Sequence, residues 1–301
     1  MSTIAPTTST TAPSPTGPVP SASPRGGRRR PAAKIWTIVG LLFSAAFAIL
    51  PVVWMFLSSL KPNTQVLQNP PRLFTSQSSF TAYRRLFHDP SQLDAFRDSY
   101  IIGAAVTLLT IVVAVLAGFS LSRFEYRGRS SVMTLVIGVQ SVPPISLAIP
   151  YLGLITLLGL YDSYTGLILT HLVLTFPYAI VMMTAYFDTL PRSLDEAARV
   201  DGASSLRILW QILLPISVPG VVSVGVYTFM LSWNEFLFAL LLTKTNVRTV
   251  PIRVSSFIGQ NAIDWQGMFA MSIVGSLPVL AFFLVFQRYF LGGLTAGSVK
   301  G

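Results

Sequence analysis

Cysteine is absent from this chain of 301 residues, and only two histidines, His88 and His171, are present. Without thiols the chain has neither a disulfide framework nor a thiolate nucleophile. Two histidines are also too few for a zinc site of the usual His/Cys type. The sequence therefore predicts no metal site, and no Ser–His–Asp arrangement matches a known catalytic motif.

Charged residues are scarce as well, at 11% of the chain, whereas 52% of residues are hydrophobic and the mean hydropathy is +0.63. Soluble domains carry about a quarter charged residues. The composition thus predicts an integral membrane protein surrounded by lipid. The net charge of +10 is typical of cytoplasmic loops that follow the positive-inside rule, and no basic helix with interleaved aromatics indicates a nucleic-acid partner.

A nucleotide-binding P-loop is missing too. That motif needs a glycine directly before a lysine that reaches the phosphates, and no lysine here follows a glycine: the four are Lys34, Lys61, Lys244 and Lys300. The chain is therefore expected not to be an enzyme. If it takes part in ATP-driven transport, ATP and magnesium bind to a separate subunit.

Six apolar runs are long enough to cross a hydrocarbon core about 30 Å thick, and they predict an all-α membrane protein with six transmembrane helices within residues 34–290. The runs are Ile35–Leu57, Tyr100–Leu121, Val132–Leu158, Gly166–Phe187, Gly220–Leu242 and Met268–Phe290. Pro143, Pro144 and Pro150 are predicted to interrupt the third run. Backbone broken at that depth requires contact with protein or a water-filled path.

The segments between the runs predict an orientation. Residues 1–33 are rich in Ser, Thr, Pro, Ala and Gly and predict a disordered tail that ends in arginines. Basic residues there and in 122–129 predict that both termini, including the tail 291–301, are cytoplasmic. Residues 58–98, with a short helix at Phe80–Phe87, and residues 243–266 then form outer loops.

A structured hairpin, Ser193–Pro219, separates the fourth and fifth runs. Ser193 and Glu196 have the spacing of a capping box, which predicts a short helix at Leu194–Asp201. Gly202 suits the left-handed position just after a helix.

The second arm of this hairpin is predicted to be a helix at Leu206–Leu214, capped by Ser204 or Ser205 and stopped by Pro215. A helix-turn-helix between two spans suggests a segment that another protein holds.

This hairpin resembles the E-A-A…G…I-x-L-P loop of ABC importer permeases, known as the EAA motif. The matching residues are Glu196, Ala197, Ala198, Gly202, Ile212, Leu214 and Pro215. The resemblance implies a coupling helix that docks on a cytoplasmic ATPase subunit, with Asp201 beside the turn. Two alanines then offer a flat surface and Glu196 a carboxylate for a basic group, although Glu196 capping its own helix is an alternative that is compatible with docking.

Trp233, Asn234 and Glu235 cluster in the fifth run, and Glu235 is the only acidic residue inside any predicted span. A ring, an amide and a carboxylate suit a sugar in the substrate path. Helix-to-helix hydrogen bonds are the alternative. The Trp-Asn pair also resembles the carbohydrate branch of the family, in which the other permease holds most of the sugar.

His171 lies in the fourth run, where a hydrogen-bonded packing role is favoured over a proton relay.

The end of the chain, G-L-T-A-G-S-V-K-G at 293–301 after Gln287-Arg288, is similar to that of the smaller six-helix permease of maltose-type importers. The resemblance implies that Thr295, Gly297 and Lys300 contact the ATPase subunits. An end that touches nothing is the alternative.

We therefore expect the permease subunit of an ATP-driven, binding-protein-dependent importer for a sugar or oligosaccharide. The implied partners are a second permease, two copies of an ATPase and an extracytoplasmic solute-binding protein, with alternating access as the mechanism. The same type of importer for glycerol phosphate or an amino sugar is an alternative. An ion-coupled carrier is disfavoured because the spans contain one acid and no inverted repeat.

Overall fold

The computed structural model describes the backbone of residues 31–296 and the side chains of residues 35–289. This part of the chain is helical, without a β-strand and with a single isolated bridge between Ile258 and Ile263. The long helices are α1 (Pro31–Ser59), α4 (Pro90–Arg123), α7 (Tyr164–Asp188), α11 (Val218–Trp233) and α14 (Trp265–Ala296). The all-α prediction is confirmed.

Shorter helices connect them. They are α2 (Asn63–Val66), α3 (Thr81–His88), α5 (Arg129–Gln140), α6 (Pro144–Leu157), α8 (Ser193–Val200), α9 (Ser205–Ile208), α10 (Leu214–Ile216), α12 (Leu237–Leu242) and α13 (Val250–Ser255). A π-helical turn, Leu209–Leu213, joins α9 to α10. The helix expected at Phe80–Phe87 is therefore found one residue later, as α3.

Four helices in the described chain are long and apolar enough to cross a membrane: Ile35–Ser59, Pro90–Arg123, Tyr164–Asp188 and Trp265–Tyr289. Two bent pairs, Arg129–Gln140 with Pro144–Leu157 and Ser205–Ile216 with Val218–Trp233, pass the same test together. The number of candidate spans is therefore four to six by length and composition.

Several predicted boundaries were wrong. The second span was predicted to begin at Tyr100, but α4 begins at Pro90, because Asp89 caps it by accepting a hydrogen bond from the Ser91 amide at 2.9 Å. The first helix begins at Pro31, inside the tail predicted for 1–33, since proline suits the first turn of a helix. The rest of that tail lies outside the described residues.

Two predicted spans are broken. The third bends by 96° between α5 and α6 because neither Pro143 nor Pro144 can donate a backbone hydrogen bond. The interruption predicted at Pro143 and Pro144 is confirmed. The one predicted at Pro150 is wrong, because α6 continues through this residue. The fifth was predicted as one helix, Gly220–Leu242, but it ends at Trp233 and resumes at Leu237.

From residue 50 onward, α4 forms the centre of the fold by packing along α7 and α11, and α11 also packs against α14. Close approach is possible because Gly118 of α4 lies against α7, where an added Cβ would be 3.0 Å from both Met183 Cβ and the Thr184 nitrogen. Small residues allow this contact between membrane helices. The buried hydroxyls of Thr110 and Thr175 add a 2.9 Å hydrogen bond across α4 and α7.

Candidate functional site

The coupling hairpin, which we define as residues 193–216, begins with α8 and has a different start from the predicted one. The capping box was wrong: the N-cap position is Arg192, and no side chain caps the helix. The Asp195 amide already donates to the Arg192 carbonyl at 3.0 Å, so Ser193 is inside the first turn. From that position its hydroxyl cannot serve as an N-cap.

The turn after α8 agrees with the prediction. Gly202 has φ of +78°, the left-handed conformation that glycine adopts at little cost. The Gly202 amide donates to the Arg199 carbonyl at 3.0 Å, and the Ala203 amide donates to the Ala198 carbonyl at 2.9 Å. These bonds close the end of α8 and reverse the chain, with Asp201 exposed at the turn.

The second arm begins at Ser205, one residue before the predicted start at Leu206, and it ends later than predicted. The Ser204 hydroxyl accepts a hydrogen bond from the Arg207 amide at 3.4 Å and caps α9. Pro215 was expected to stop the helix, but it lies inside α10, which continues to Ile216. The π turn at Leu209–Leu213 widens the helix just before this proline, which removes the need for the missing amide hydrogen.

A buried ion pair fastens the hairpin to the membrane helices. Arg123 Nε, at the end of α4, lies 2.8 Å from Asp195 Oδ2, and the two side chains are only 3% and 9% exposed. Arg123 Nη2 also donates to the Leu190 carbonyl at 3.1 Å. The hydroxyl of the adjacent residue, Ser122, donates to Asp188 Oδ1 at 2.6 Å. The end of α4 therefore binds both the end of α7 and the first turn of α8.

These anchoring residues were missed by sequence reasoning, which treated Arg123 as a cytoplasmic loop residue. An arginine that closes a long apolar helix, together with the adjacent acids Asp195 and Glu196 at the start of a short helix, was the available signal. Nothing in the sequence specified that Asp195, rather than Glu196, is the partner.

Apolar packing gives the hairpin an inner face. Ala198, Ile208, Leu209 and Leu213 are buried in one core cluster with Phe119 of α4 and with Met183 and Phe187 of α7. The expectation that both alanines of the motif form surface is wrong for Ala198, which is 6% exposed. Helical periodicity explains the difference, since neighbouring residues point about 100° apart.

The outer face of the hairpin carries the motif's polar and apolar exposed groups. Glu196, Ala197 and Asp201 are exposed. Val200 and Leu206 flank the Gly202 turn, with 88% and 61% of their surfaces exposed. Of the last motif residues, Pro215 is exposed and Leu214 is half-buried. Acidic groups and uncovered aliphatic side chains thus share one surface.

The three candidate substrate-path residues have different surroundings. Trp233 is 3% exposed; its indole N–H donates to the Gly275 carbonyl at 3.1 Å, and its ring meets the Tyr100 ring edge-on at 4.9 Å. Asn234 is exposed and donates to the Met230 carbonyl at 2.7 Å. The Trp233 ring is therefore occupied by contacts between α11, α4 and α14.

Glu235 lies in the break between α11 and α12. Its carboxylate accepts hydrogen bonds from the amides of Phe238 and Ala239 at 2.8 and 2.9 Å, which satisfies the first turn of α12. His171 Nε2 is 3.3 Å from Glu235 Oε2, and His171 Nδ1 is 2.8 Å from the Ser232 hydroxyl. Sequence reasoning could not show that His171 and Glu235 meet, because 64 positions separate them.

An aspartate in a predicted outer turn holds the loop that follows α12. The Asp162 carboxylate accepts hydrogen bonds from the amides of Lys244 and Thr245 at 2.8 and 3.0 Å, and from those of Asn246 and Val247. Together these donors lower the pKa of Asp162 to about 2 against the opposing effect of burial.

Of the three tail residues that are predicted to contact the ATPase, only Thr295 lies within the described backbone. Thr295 lies in the last turn of α14, whereas Gly297 and Lys300 lie outside the described residues. Within the described chain, no cluster of three or more His, Cys, Asp or Glu side chains is arranged to hold a metal.

The fold defines the class of this protein: an all-helical membrane protein with broken spans and an anchored hairpin. Residues 110–294 match the family described as "Binding-protein-dependent transport system inner membrane component". The chain belongs to this family of inner-membrane permeases, and its carbohydrate-importer branch is supported by the relatives described next.

The chain is 35% identical over 272 residues to the trehalose/maltose transport system permease protein MalG of Thermococcus litoralis. The aligned region covers 89% of this chain and 97% of that protein. It is 32% identical over 278 residues to the trehalose transport system permease protein SugB of Mycobacterium tuberculosis, covering 91% of this chain and all of the relative.

The fold is similar to a solved bacterial ABC transporter involved in the import of the acidic polysaccharide alginate. The TM-score is 0.70 at 22% identity, over 86% of this chain and 98% of the other. This likeness supports the permease fold, and the predicted membership of the ABC importer permeases is confirmed.

Proposed function

We propose that this chain is a translocation subunit of an ATP-driven, binding-protein-dependent importer for a sugar or oligosaccharide. The substrate class rests on relatives named for trehalose and maltose transport, which match nearly the full length of the chain. In this proposal the chain spans the inner membrane six times, with the 1–33 and 291–301 tails in the cytoplasm.

The observation that carries the proposal is the two-faced coupling hairpin. Its inner face is packed on α4 and α7 and fixed by the Arg123–Asp195 pair, whereas its outer face leaves Val200 and Leu206 uncovered beside Glu196. Exposed aliphatic side chains with a polar rim are typical of protein-binding surfaces. A hairpin that is rigidly attached on one side transmits movement from a partner bound on the other.

The partner is a cytoplasmic ATPase that supplies the ATP and magnesium chemistry. Closure of an ATPase dimer pushes on the outer face at Glu196, Ala197 and Asp201, and the anchored inner face passes the movement to α4 and α7. The spans then alternate between inward and outward openings. Thr295, Gly297 and Lys300 remain proposed contacts of the C-terminal tail with the same ATPase.

The remaining partners follow the organisation of this transporter class. A second permease completes the membrane path, and an extracytoplasmic solute-binding protein delivers the sugar. One solved structural neighbour, at TM-score 0.63, is a bacterial alginate ABC transporter in complex with an alginate pentasaccharide-bound periplasmic protein, which supports an assembly of this kind.

The test is recovery of the ATPase with the detergent-solubilised chain. Glu196→Lys reverses the charge on the outer face, and we expect it to lose the ATPase while retaining the second permease. Asp94→Lys is the matched control because Asp94 is also an exposed acid, 54% accessible, at the opposite end of α4. We expect this control to retain both partners.

The proposal fails if wild-type chain is purified without an ATPase in a detergent that preserves a reference importer. Equal ATPase recovery with wild type and Glu196→Lys, followed by equal sugar uptake, contradicts the assignment of the docking face alone.

A further inference from the structure

A cavity lies beside the break between α5 and α6. Its volume is about 190 Å³, more than ten times the ~10–15 Å³ needed for one water. It is bounded by α5, the start of α6, α7 and α11, and its polar lining consists of Gln140, Tyr178 and Tyr227. None of these residues was singled out in the sequence.

The two tyrosines form a stacked pair. Their ring centroids are 4.1 Å apart with an interplanar angle of 23°. Tyr178 is 37% exposed and Gln140 is also exposed. Among the described residues, neither tyrosine hydroxyl nor the Gln140 amide has a hydrogen-bond partner. Three unpaired polar groups therefore face one cavity.

These groups lie at the middle of the predicted membrane. At 1.5 Å per residue, Gln140 is about 17 Å from the start of α5 at Arg129, and Tyr178 is about 15 Å from the end of α7 at Asp188. Tyr227 is about 14 Å from the start of α11 at Val218 by the same rise. Half of a hydrocarbon core is about 15 Å, so all three lie near its midplane.

Unpaired polar groups at this depth are costly against lipid, which favours a water-filled path or a bound polar ligand. The break adds a further acceptor, because Pro144 has no amide hydrogen to donate to the Gln140 carbonyl. The cavity thus combines an aromatic face with hydroxyl, amide and carbonyl groups. Rings pack on the C–H faces of pyranoses, and the polar groups can bond hydroxyls.

The absence of charge restricts the ligand. The described lining contains no Asp, Glu, Lys, Arg or His side chain, and its remaining members are aliphatic residues and prolines: Val139, Val142, Pro144, Leu147, Val173, Leu174 and Pro177. A phosphate, sulfonate or carboxylate brought to this depth without a countercharge pays a large desolvation penalty. A neutral sugar does not.

We propose that Gln140, Tyr178 and Tyr227 bind one ring of a neutral sugar during translocation and make this permease selective against acidic sugars. This inference rests on the proposed importer function and deepens it. It moves the substrate path away from Trp233 and Glu235, whose polar groups are occupied by the contacts described above, and it disfavours the glycerol phosphate alternative.

The lack of cysteine in the chain permits a direct test in the reconstituted complex with its binding protein. Tyr227→Cys introduces a single thiol into this chain, which is labelled with the neutral reagent methyl methanethiosulfonate and followed on this chain. The neutral probes are maltose, trehalose and arabinotriose supplied together. The charged probes are glucose 6-phosphate, glucuronate and glycerol 3-phosphate supplied together.

We expect the neutral probes to slow labelling of Tyr227→Cys at least fivefold and the charged probes to leave it unchanged. Arg127→Cys is the control because Arg127 is exposed in the loop between α4 and α5, and its rate of labelling should not change with either set of probes. Equal labelling of Tyr227→Cys with and without the neutral probes, or protection by the charged probes, overturns the inference.

Uptake kinetics provide the second test. Tyr227→Leu removes the ring and should raise KM for the neutral sugar about tenfold, whereas Tyr227→Phe keeps the ring and should raise it a few-fold. Tyr151→Leu is the matched control, because Tyr151 also pairs with an aromatic ring, Phe238 at 5.5 Å, away from the cavity. An equal KM for wild type and Tyr227→Leu contradicts ligand binding here.

The two levels of the proposal fail differently. Uptake of the charged set alone by wild type overturns the inference and leaves the importer function intact. Wild-type complex that takes up neither set, with ATP and the binding protein supplied, contradicts the proposed function itself.

Discussion

Arg123 and Asp195 form an ion pair, 2.8 Å from Nε to Oδ2, that is almost completely shielded from solvent. It joins the last residue of α4 to the first turn of α8, across 72 positions of the chain. The charge of each side chain offsets the desolvation cost of burying the other. The position of the coupling hairpin relative to α4 is therefore strongly determined.

Removal of one partner should destabilise the protein. Asp195→Ala leaves the Arg123 charge buried without its counterion, which typically costs about 3–5 kcal/mol. We expect a clear decrease in the thermal unfolding temperature of the purified complex and a loss of ATPase recovery.

The control for this prediction is a second ion pair in the same region. Arg192 and Glu125 are 3.6 Å apart, but their side chains are 57% and 79% exposed, so Glu125→Ala should cost less than about 1 kcal/mol. Equal effects of Asp195→Ala and Glu125→Ala would contradict the anchoring role.

The Gly202 turn should tolerate asparagine better than alanine. No atom lies within 4 Å of an added Cβ at this position, so the cost comes from φ of +78° and should be about 1 kcal/mol for Gly202→Ala. Asparagine populates the left-handed region more readily.

Gly202→Pro is incompatible with positive φ, since the proline ring holds φ near −65°, and should abolish uptake while the protein remains in the membrane. Uptake assays with immunoblots of membrane fractions compare the three variants. Normal transport by Gly202→Pro would show that the geometry of this turn is unnecessary for coupling.

Substitution of Glu235 should lower the stability of the protein rather than its affinity for sugar. Glu235→Ala leaves the amides of Phe238 and Ala239 without an acceptor, at a cost of about 1–3 kcal/mol, whereas Glu235→Gln retains one acceptor oxygen and should lose less. The unfolding temperature should therefore be highest for wild type, lower for Glu235→Gln and lowest for Glu235→Ala. If Glu235→Gln raises KM without lowering the unfolding temperature, Glu235 contacts the sugar and its structural role is secondary.

Asp162 predicts a pH-dependent contribution to stability. Its pKa in the folded protein is about 2, below the ordinary 3.8, so the carboxylate stabilises the fold above the ordinary pKa. This contribution is lost as the pH falls through about 2. After allowance for solvent screening we expect about 1–2 kcal/mol at neutral pH.

Asp162→Asn isolates this charge, because asparagine tolerates the φ of 54° found here. The difference in unfolding temperature from wild type should be full at pH 7 and should shrink as the pH is lowered from 4 toward 2. A difference that stays constant over this range would mean that the charge of Asp162 is unimportant to the loop.

Local patterns accounted for much of the architecture. The six apolar runs, the interruption at Pro143-Pro144 and the left-handed Gly202 depend on hydropathy and backbone geometry that neighbouring residues specify. The capping box failed because Ser193 and Glu196 have the correct spacing, but Pro191 and Arg192 already begin the helical turn. Spacing alone could not reveal that displacement.

The sequence by itself determined that the chain is an all-α membrane protein without a nucleotide motif, because composition and the length of apolar runs depend only on the order of residues. Tertiary structure decided which polar groups meet: Arg123 with Asp195, His171 with Glu235, and Tyr178 with Tyr227. The two members of each pair come from different segments of the chain, and their contacts depend on crossing angles and helix breaks. The packing of α4, α7 and α11 therefore decides which side chains are anchors and which remain available to a substrate.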